Sequence, residues 1–331
     1  MIADIRQRAA ALRSGTGAVR LGIGDDCGLL APRPGEEIAI TTDLSIEGRH
    51  FRLDWHPPES VGHRAMARGL SDLAAMGARP MAAFLSLAVP GNLARAGKRP
   101  SWTSRFLDGF LGLAETQKTP LAGGDLAESP LALADVVLVG AVPRGRALLR
   151  SGARAGDRLY VTGSLGGANA GLTRLAGLAR LAGLASKSAG RLRIPKSLVA
   201  ELKAHLYPAP RIAQGLWLQR RGNVSAAIDL SDGLSTDLMH LCEESNVAAE
   251  VDAARLPIHP SATPDQALHG GEDYELLFTA PATTKIPTKI AGVAITQIGL
   301  MTKRRAGRPR VTLLTERGPQ ALERRGWEHF A

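Results

Sequence analysis

Apolar positions along this chain switch repeatedly between a period of two and a period of three to four, the patterns of half-buried strands and amphipathic helices. Residues 37–42 ("EIAITT") alternate and predict a strand that ends at Asp43. Residues 60–76 ("SVGHRAMARGLSDLAAM") have helical spacing, with Gly77 as a stop and Pro80 just beyond. A buried strand is expected over 81–89, a helix over 102–117 and a strand over 131–142. An Arg- and Gly-rich stretch, 144–156, then interrupts the pattern, which resumes as a strand at 157–162. The Gly- and Ala-rich segment 163–185 has helical leucine spacing and reads as a loosely packed helix or a mobile segment. Further strands are expected at 226–228, 275–279 and 293–298. A helix follows the "DLSDG" turn, its Leu234, Leu238 and Leu241 sharing one face. The alternation predicts an α/β (α+β) chain in two halves, 1–150 and 151–331.

Composition narrows the class. A chain of 331 residues with 44% hydrophobic and 22% charged residues can bury a sizeable core. Aromatics are only 4%, so aliphatic side chains must fill most of it. Cys27 and Cys242 are the two cysteines, which implies neither a disulfide framework nor a cysteine zinc site and fits a reducing cytoplasm. Arg6, Arg8, Arg13 and Arg20 near the start, without an apolar core, argue against a signal peptide. No apolar run approaches the length of a membrane span. The net charge of +10 is spread along the chain apart from a basic run at 303–310, which lacks interleaved aromatics. A solvated basic loop is therefore expected there, and no nucleic acid.

Against that basic background, carboxylates recur beside glycines or at the ends of predicted elements. Asp25 and Asp26 follow Gly22 and Gly24; Asp43 closes "TTD"; Asp125 closes "AGGD". Asp229 and Asp232 flank a strand-to-helix turn, and Glu272 and Asp273 follow a glycine pair. Asp72 lies within a predicted helix. Each alone has a structural reading. Asp72 could face water, Asp125 could close a turn, Ser231 or Asp232 could cap a helix, and Cys27 could be a small packed residue. Together they suit a polyphosphate held through several Mg²⁺ ions, because the metals bridge phosphate to carboxylates that would otherwise repel it. P-loop, G-x-G-x-x-G, protein-kinase and H-E-x-x-H signatures are all absent.

The motifs "GIGDD", "TTD…EGRHF", "LSDLAAMGARP", "AGGD", "RSGARAGD", "VTGSLG", "AIDLSDGLSTDL" and "GGEDYELLFT" occur here in order. In this set the chain resembles the thiamine-monophosphate kinase family, within the superfamily of aminoimidazole ribonucleotide synthetase and selenophosphate synthetase. The likeness runs from about residue 20 to "GWEHF" at 326–330. It implies phosphoryl transfer from ATP to thiamine monophosphate in the cytoplasm. It also implies a two-domain synthetase-like fold, with an N-terminal α/β domain that builds a barrel across a homodimer and a C-terminal α/β domain. By the same resemblance, residues 1–150 bind ATP and Mg²⁺ and dimerise, and residues 151–331 complete the nucleotide and substrate site. Asp26, Thr41, Thr42, Asp43, Asp72, Asp125, Asp229 and Asp232 match Mg²⁺ ligands. Gly124, Arg150 and Ser231 match ATP contacts, and His50, Glu272 and Trp327 substrate contacts. Trp327 stands where the family commonly has tyrosine. The alternatives are another ATP-dependent synthetase or ligase of the superfamily and a non-catalytic basic polyanion-binding protein. Residues 1–20 lack the cysteine expected of a selenophosphate synthetase.

Overall fold

The computed structural model describes residues 2–12, 17–95, 100–183, 192, 194–221 and 223–326. They form two units, Met1–Leu73 with Arg79–Gly145 and Arg174–Ala200, and Ala74–Ala78 with Arg146–Thr173 and Glu201–Ala331. The chain thus passes between units close to residue 145, and two shorter pieces are exchanged.

The first unit runs α1 (Ile2–Leu12), β1 (Val19–Leu21), β2 (Leu29–Leu30), β3 (Glu36–Ile46), α2 (Pro58–Ala75), β4 (Arg79–Val89), α3 (Gly91–Ala94), α4 (Trp102–Thr116), β5 (Leu121–Glu128) and β6 (Leu133–Pro143). A four-stranded sheet takes the order β3-β6-β4-β5. Only β4 and β5 pair in parallel, and α3 and α4 supply the crossover that parallel strands require. Ser101 caps α4 by accepting the Ser104 amide at 3.1 Å. Three of the chain's aromatics lie on this helix. Trp102, Phe106 and Phe110 recur every fourth residue, with ring centroids 5.4 and 6.3 Å apart, and all three are buried. Met66, Leu70 and Leu73 of α2 and Leu138 of β6 are fully buried as well. Glycines set how closely α2 and α4 approach. A Cβ at Gly62 would sit 1.9 Å from the Phe106 carbonyl oxygen, and one at Gly109 1.8 Å from that of Glu59.

One expectation and one alternative reading are corrected by the strand registers. The strand predicted to end at Asp43 continues to Ile46, with Asp43 inside it opposite Val136. The eleven-residue register with β6 is unbroken, and it outweighs the weak strand propensity of one aspartate. Asp125 closes no turn either. It lies within β5 in register with Ser86, because the parallel ladder to β4 runs on through both glycines of "AGGD".

The chain continues as β7 (Arg158–Thr162), α5 (Gly167–Leu181), α6 (Val199–Leu206), α7 (Ile212–Arg221), β8 (Ala226–Asp229), α8 (Leu234–Glu244), β9 (Ala248–Asp252), α9 (Pro264–His269), β10 (Leu276–Ala280), β11 (Lys289–Ile290), β12 (Val293–Thr302), β13 (Val311–Thr315) and β14 (Gly318–Ala321), all in the second unit except residues 174–181 of α5 and 199–200 of α6, which fall in the first. The sheet of the second unit has the order β14-β13-β9-β12-β7-β10-β8, with β11 added beside β12. Leu159, Val161, Ile228, Leu277 and Ile298 from the strands pack with Leu234, Leu238 and Leu241 of α8, as that helix's spacing predicted. Of the ambiguous segment 163–185, residues 167–181 are helical and 184–185 lie outside the described residues. The basic run 303–310 joins β12 to β13. Two of its arginines are used locally, Arg304 toward Asn246 and Arg310 toward the Cys242 carbonyl. Among the described residues, no helix is long and apolar enough to cross a membrane.

Candidate functional site

In the first unit, strand alternation decides which carboxylates meet. Thr41 and Asp43 share the face of β3 that α2 covers, and Asp72 reaches that face from the helix. The Thr41 hydroxyl donates to Asp72 Oδ2, so Asp72 is no merely solvated helix residue. Asp43 Oδ2 is buried without a hydrogen-bond partner, while its Oδ1 lies 3.5 Å from Arg68 Nε. Burial, and then the nearby Asp72 carboxylate, push the Asp43 carboxyl up to about 6 against the pull of Arg68. Thr42 falls on the opposite face, where its hydroxyl donates to Asp135 at 2.8 Å.

Gly124 precedes Asp125 with φ +151°, and a Cβ there would meet the Leu85 carbonyl oxygen at 1.9 Å, so the position admits only glycine. Asp26 lies in the exposed turn after Gly24, its amide donating to Asp25 Oδ1 at 2.9 Å. Cys27 in the same turn is exposed rather than packed, since the turn lies at the surface. His50 has a defined tautomer: Nδ1 accepts the Ile46 amide at 3.0 Å, which leaves the ring proton on Nε2.

In the second unit, two loops bring Asp229, Ser231, Asp232 and Glu272 together. The Leu230 amide donates to the Glu275 carbonyl at 2.8 Å, and the Tyr274 amide to the Leu230 carbonyl at 2.9 Å. The Glu272 amide donates to the Ser231 carbonyl at 2.8 Å. Glu272 and Tyr274 both hold positive φ, +68° and +51°, a conformation that costs energy in non-glycine residues and persists where surrounding contacts hold it. Arg211 clamps the neighbouring Glu275 through Nε at 2.6 Å, and Glu275 also accepts from the Thr162 hydroxyl at 2.5 Å. Glu272 Oε2 itself lies 3.6 Å from His205 Nδ1. Asp273 accepts the amides of Gly166 and Ala168 at the start of α5, and burial pushes its carboxyl up to about 7. Arg150 is exposed, and its carbonyl accepts from the Ser245 hydroxyl at 2.9 Å. Trp327 lies outside the described residues.

Neither Ser231 nor Asp232 caps α8, the structural alternative to a ligand role for them. The cap position belongs to Gly233, which makes no side-chain cap bond. The unbonded amides ahead of the helix are instead taken by Asp237, one turn in, whose Oδ2 accepts from Asp232 at 3.1 Å and Gly233 at 3.0 Å. Sequence reasoning missed this residue. Its signal was a further carboxylate in "SDGLSTD", at helical spacing from the glycine. Burial, then Asp229 and Asp232, push the Asp237 carboxyl up to about 8. Among the described residues, no three Asp, Glu, His or Cys side chains converge closely enough to hold a metal ion unaided.

Comparison with known proteins places these features in a family. Residues 24–145 match the AIR synthase related protein N-terminal domain, and residues 154–312 the corresponding C-terminal domain. The thiamine-monophosphate kinase of Escherichia coli strain K12 is 39% identical over 97% of this chain and 95% of its own. The crystal structure of thiamine-monophosphate kinase from Stenotrophomonas maltophilia K279a superposes with a TM-score of 0.75 at 35% identity, covering 94% of each chain. AaThiL complexed with AMPPCP and TMP gives a TM-score of 0.75 at 30% identity, over 98% of this chain and 96% of that one. With both domains matched and full-length relatives above 30% identity, the chain belongs to the thiamine-monophosphate kinase family of AIR synthase related proteins.

Proposed function

We propose that this chain transfers the γ-phosphoryl group of ATP to the phosphate of thiamine monophosphate, yielding thiamine diphosphate and ADP. The observation that carries the reading is end-to-end similarity to named thiamine-monophosphate kinases, one with 39% identity over 97% of the chain. The complex of AaThiL with AMPPCP and TMP, a relative of 30% identity, supports the same pair of substrates. A nonbridging oxygen of the acceptor phosphate attacks the γ-phosphorus, and the bond to the β,γ-bridging oxygen breaks. That acceptor oxygen is already largely ionised near neutral pH, so no side chain is needed as a general base. The protein's task is to align two anions and offset their repulsion.

The donor set suits Mg²⁺. Asp43 Oδ2 is a buried acceptor without a partner, and its neighbours Thr41 and Asp72 offer hard oxygens. We assign Asp26, Thr41, Thr42, Asp43, Asp72, Asp125, Asp229 and Asp232 to metal binding. Bound Mg²⁺ would neutralise phosphate charge and polarise the transferring group. Gly124 would let the backbone approach a phosphate, and Arg150 and Ser231 would add donors to the nucleotide. His50, Glu272 and Trp327 would hold thiamine monophosphate, with Trp327 stacking on its cationic ring. In this reading the N-terminal half, 1–150, carries ATP, Mg²⁺ and dimerisation, and 151–331 adds nucleotide and substrate contacts in a cytoplasmic enzyme.

The homodimer is supported by the uncovered face of β3, where Ile38, Ile40 and Leu44 are 43%, 67% and 44% exposed. A second copy of this sheet would bury that stripe. Sedimentation should show a dimer, and a strict monomer at micromolar concentration would remove this element of the reading.

The test of the reaction itself is product analysis with ATP, Mg²⁺ and thiamine monophosphate. Thiamine diphosphate and ADP should form one for one, stop with EDTA and resume with added Mg²⁺. ADP without thiamine diphosphate would instead indicate a superfamily synthetase or ligase with another acceptor. Turnover that persists in EDTA would exclude the metal assignment.

A further inference from the structure

The loop 229–233 is held by backbone bonds on one side and by the Asp237 side chain on the other. Toward β10, the bonds of Leu230 to Glu275 and Tyr274, and of Glu272 to Ser231, fix its outer strand. Toward α8, both consecutive amides, of Asp232 and Gly233, point at one oxygen of Asp237. Asp237 is 2% exposed, and Asp229 beside it is 3% exposed. Placing a carboxylate so close to two others is unfavourable unless something specific is gained. What is gained is control of two peptide planes. The bonds to Asp237 set the orientation of the 231–232 and 232–233 peptides, and with it the directions in which Ser231 and Asp232 project. A cap made by Asp232 itself would have turned its carboxylate back onto the helix end. Here Asp237 performs that task.

We infer that Asp237 is a positioning residue for phosphoryl transfer, holding the Ser231–Asp232 segment in the orientation that binds the metal–nucleotide. This rests on the assignment of Ser231 and Asp232 to ATP and Mg²⁺ above. Asparagine can reproduce the contact, because its single Oδ1 can accept both amides that Asp237 Oδ2 accepts. Alanine cannot.

The experiment compares Asp237→Ala, Asp237→Asn and Asp232→Asn with the wild-type full-length chain. It reads KM for Mg·ATP, KM for thiamine monophosphate, kcat, and hydrogen exchange of the 230–234 backbone. Asp237→Ala is expected to raise KM for Mg·ATP or lower kcat by about tenfold to a hundredfold, the scale of a slightly misplaced reacting group. It should leave KM for thiamine monophosphate within about twofold, because the bond from Glu272 to Ser231 is untouched. Exchange at Asp232 and Gly233 should quicken. Asp237→Asn should restore both the protection and the Mg·ATP kinetics. If Asp237→Ala does not fold, the inference stands or falls on Asp237→Asn, in which loss of slow exchange or a tenfold kinetic defect overturns it. Wild-type kinetics in a folded Asp237→Ala also overturn it, provided that Asp232→Asn is impaired. Wild-type kinetics in Asp232→Asn would instead overturn the assignment of the loop to the nucleotide.

Discussion

Replacing Asp43 with asparagine is expected to reduce thiamine-monophosphate phosphorylation by ~10²–10³, the loss typical when one preorganised electrostatic group is removed. The fold should survive, because Asp43 contributes little to it. Its Oδ2 has no hydrogen-bond partner, and its Oδ1 lies 3.5 Å from Arg68 Nε, beyond the length of a strong ionic hydrogen bond. Stability should then respond to pH in a particular direction. The folded protein raises this carboxyl from its ordinary 3.8 to about 6. Its contribution to stability is complete below pH 4 and is lost as pH rises through 6. Measured in EDTA, Asp43→Asn should therefore gain stability relative to wild type between pH 4.5 and 7.5. A variant that is inactive yet relatively more stable at the higher pH has lost a functional charge, whereas one that melts early at every pH has lost a structural one. Full activity would remove Asp43 from the site.

Gly109→Ala is expected to destabilise the first unit by about 3 kcal/mol, the upper range for forcing atoms into a packed core. The added methyl group would overlap the Glu59 carbonyl oxygen, 1.8 Å from the new carbon. That oxygen is backbone, so no rotamer relieves the clash and α2 must move away from α4. Gly62→Ala should act in the same way from the other side of the crossing, against the carbonyl of Phe106. Gly112 lies one turn along α4 and has nothing within 4 Å of its added carbon. There the same substitution should stabilise by up to ~1 kcal/mol, through helix propensity alone. Denaturant midpoints for the three variants test this. Equal shifts at Gly109 and Gly112 would mean that the helix crossing tolerates a wider spacing.

Much of this protein can be read from its linear pattern. Helices α2, α4 and α8 are visible because each buries a stripe at three- and four-residue spacing, and that spacing is local. The alternating and apolar runs likewise marked β4, β6 and β12 to within a few residues. The succession of acidic, glycine-bearing motifs was legible too, and it carried the family resemblance. Tertiary structure decided what the acidic residues do locally. Asp43 and Asp125 looked like strand or turn ends, but ladders to β6 and β4 carry both strands past them, and the pairing partners are distant in sequence. Thr41 and Thr42 looked equivalent until strand alternation sent one hydroxyl to Asp72 and the other to Asp135. The role of Asp237 was hidden for the same reason. Its oxygen meets two amides only because the turn from β8 into α8 folds back over the first turn of the helix. Periodicity reports which face of an element is buried, and that is a local property. Which polar atoms meet on that face depends on register and packing, which exist only once the chain has folded.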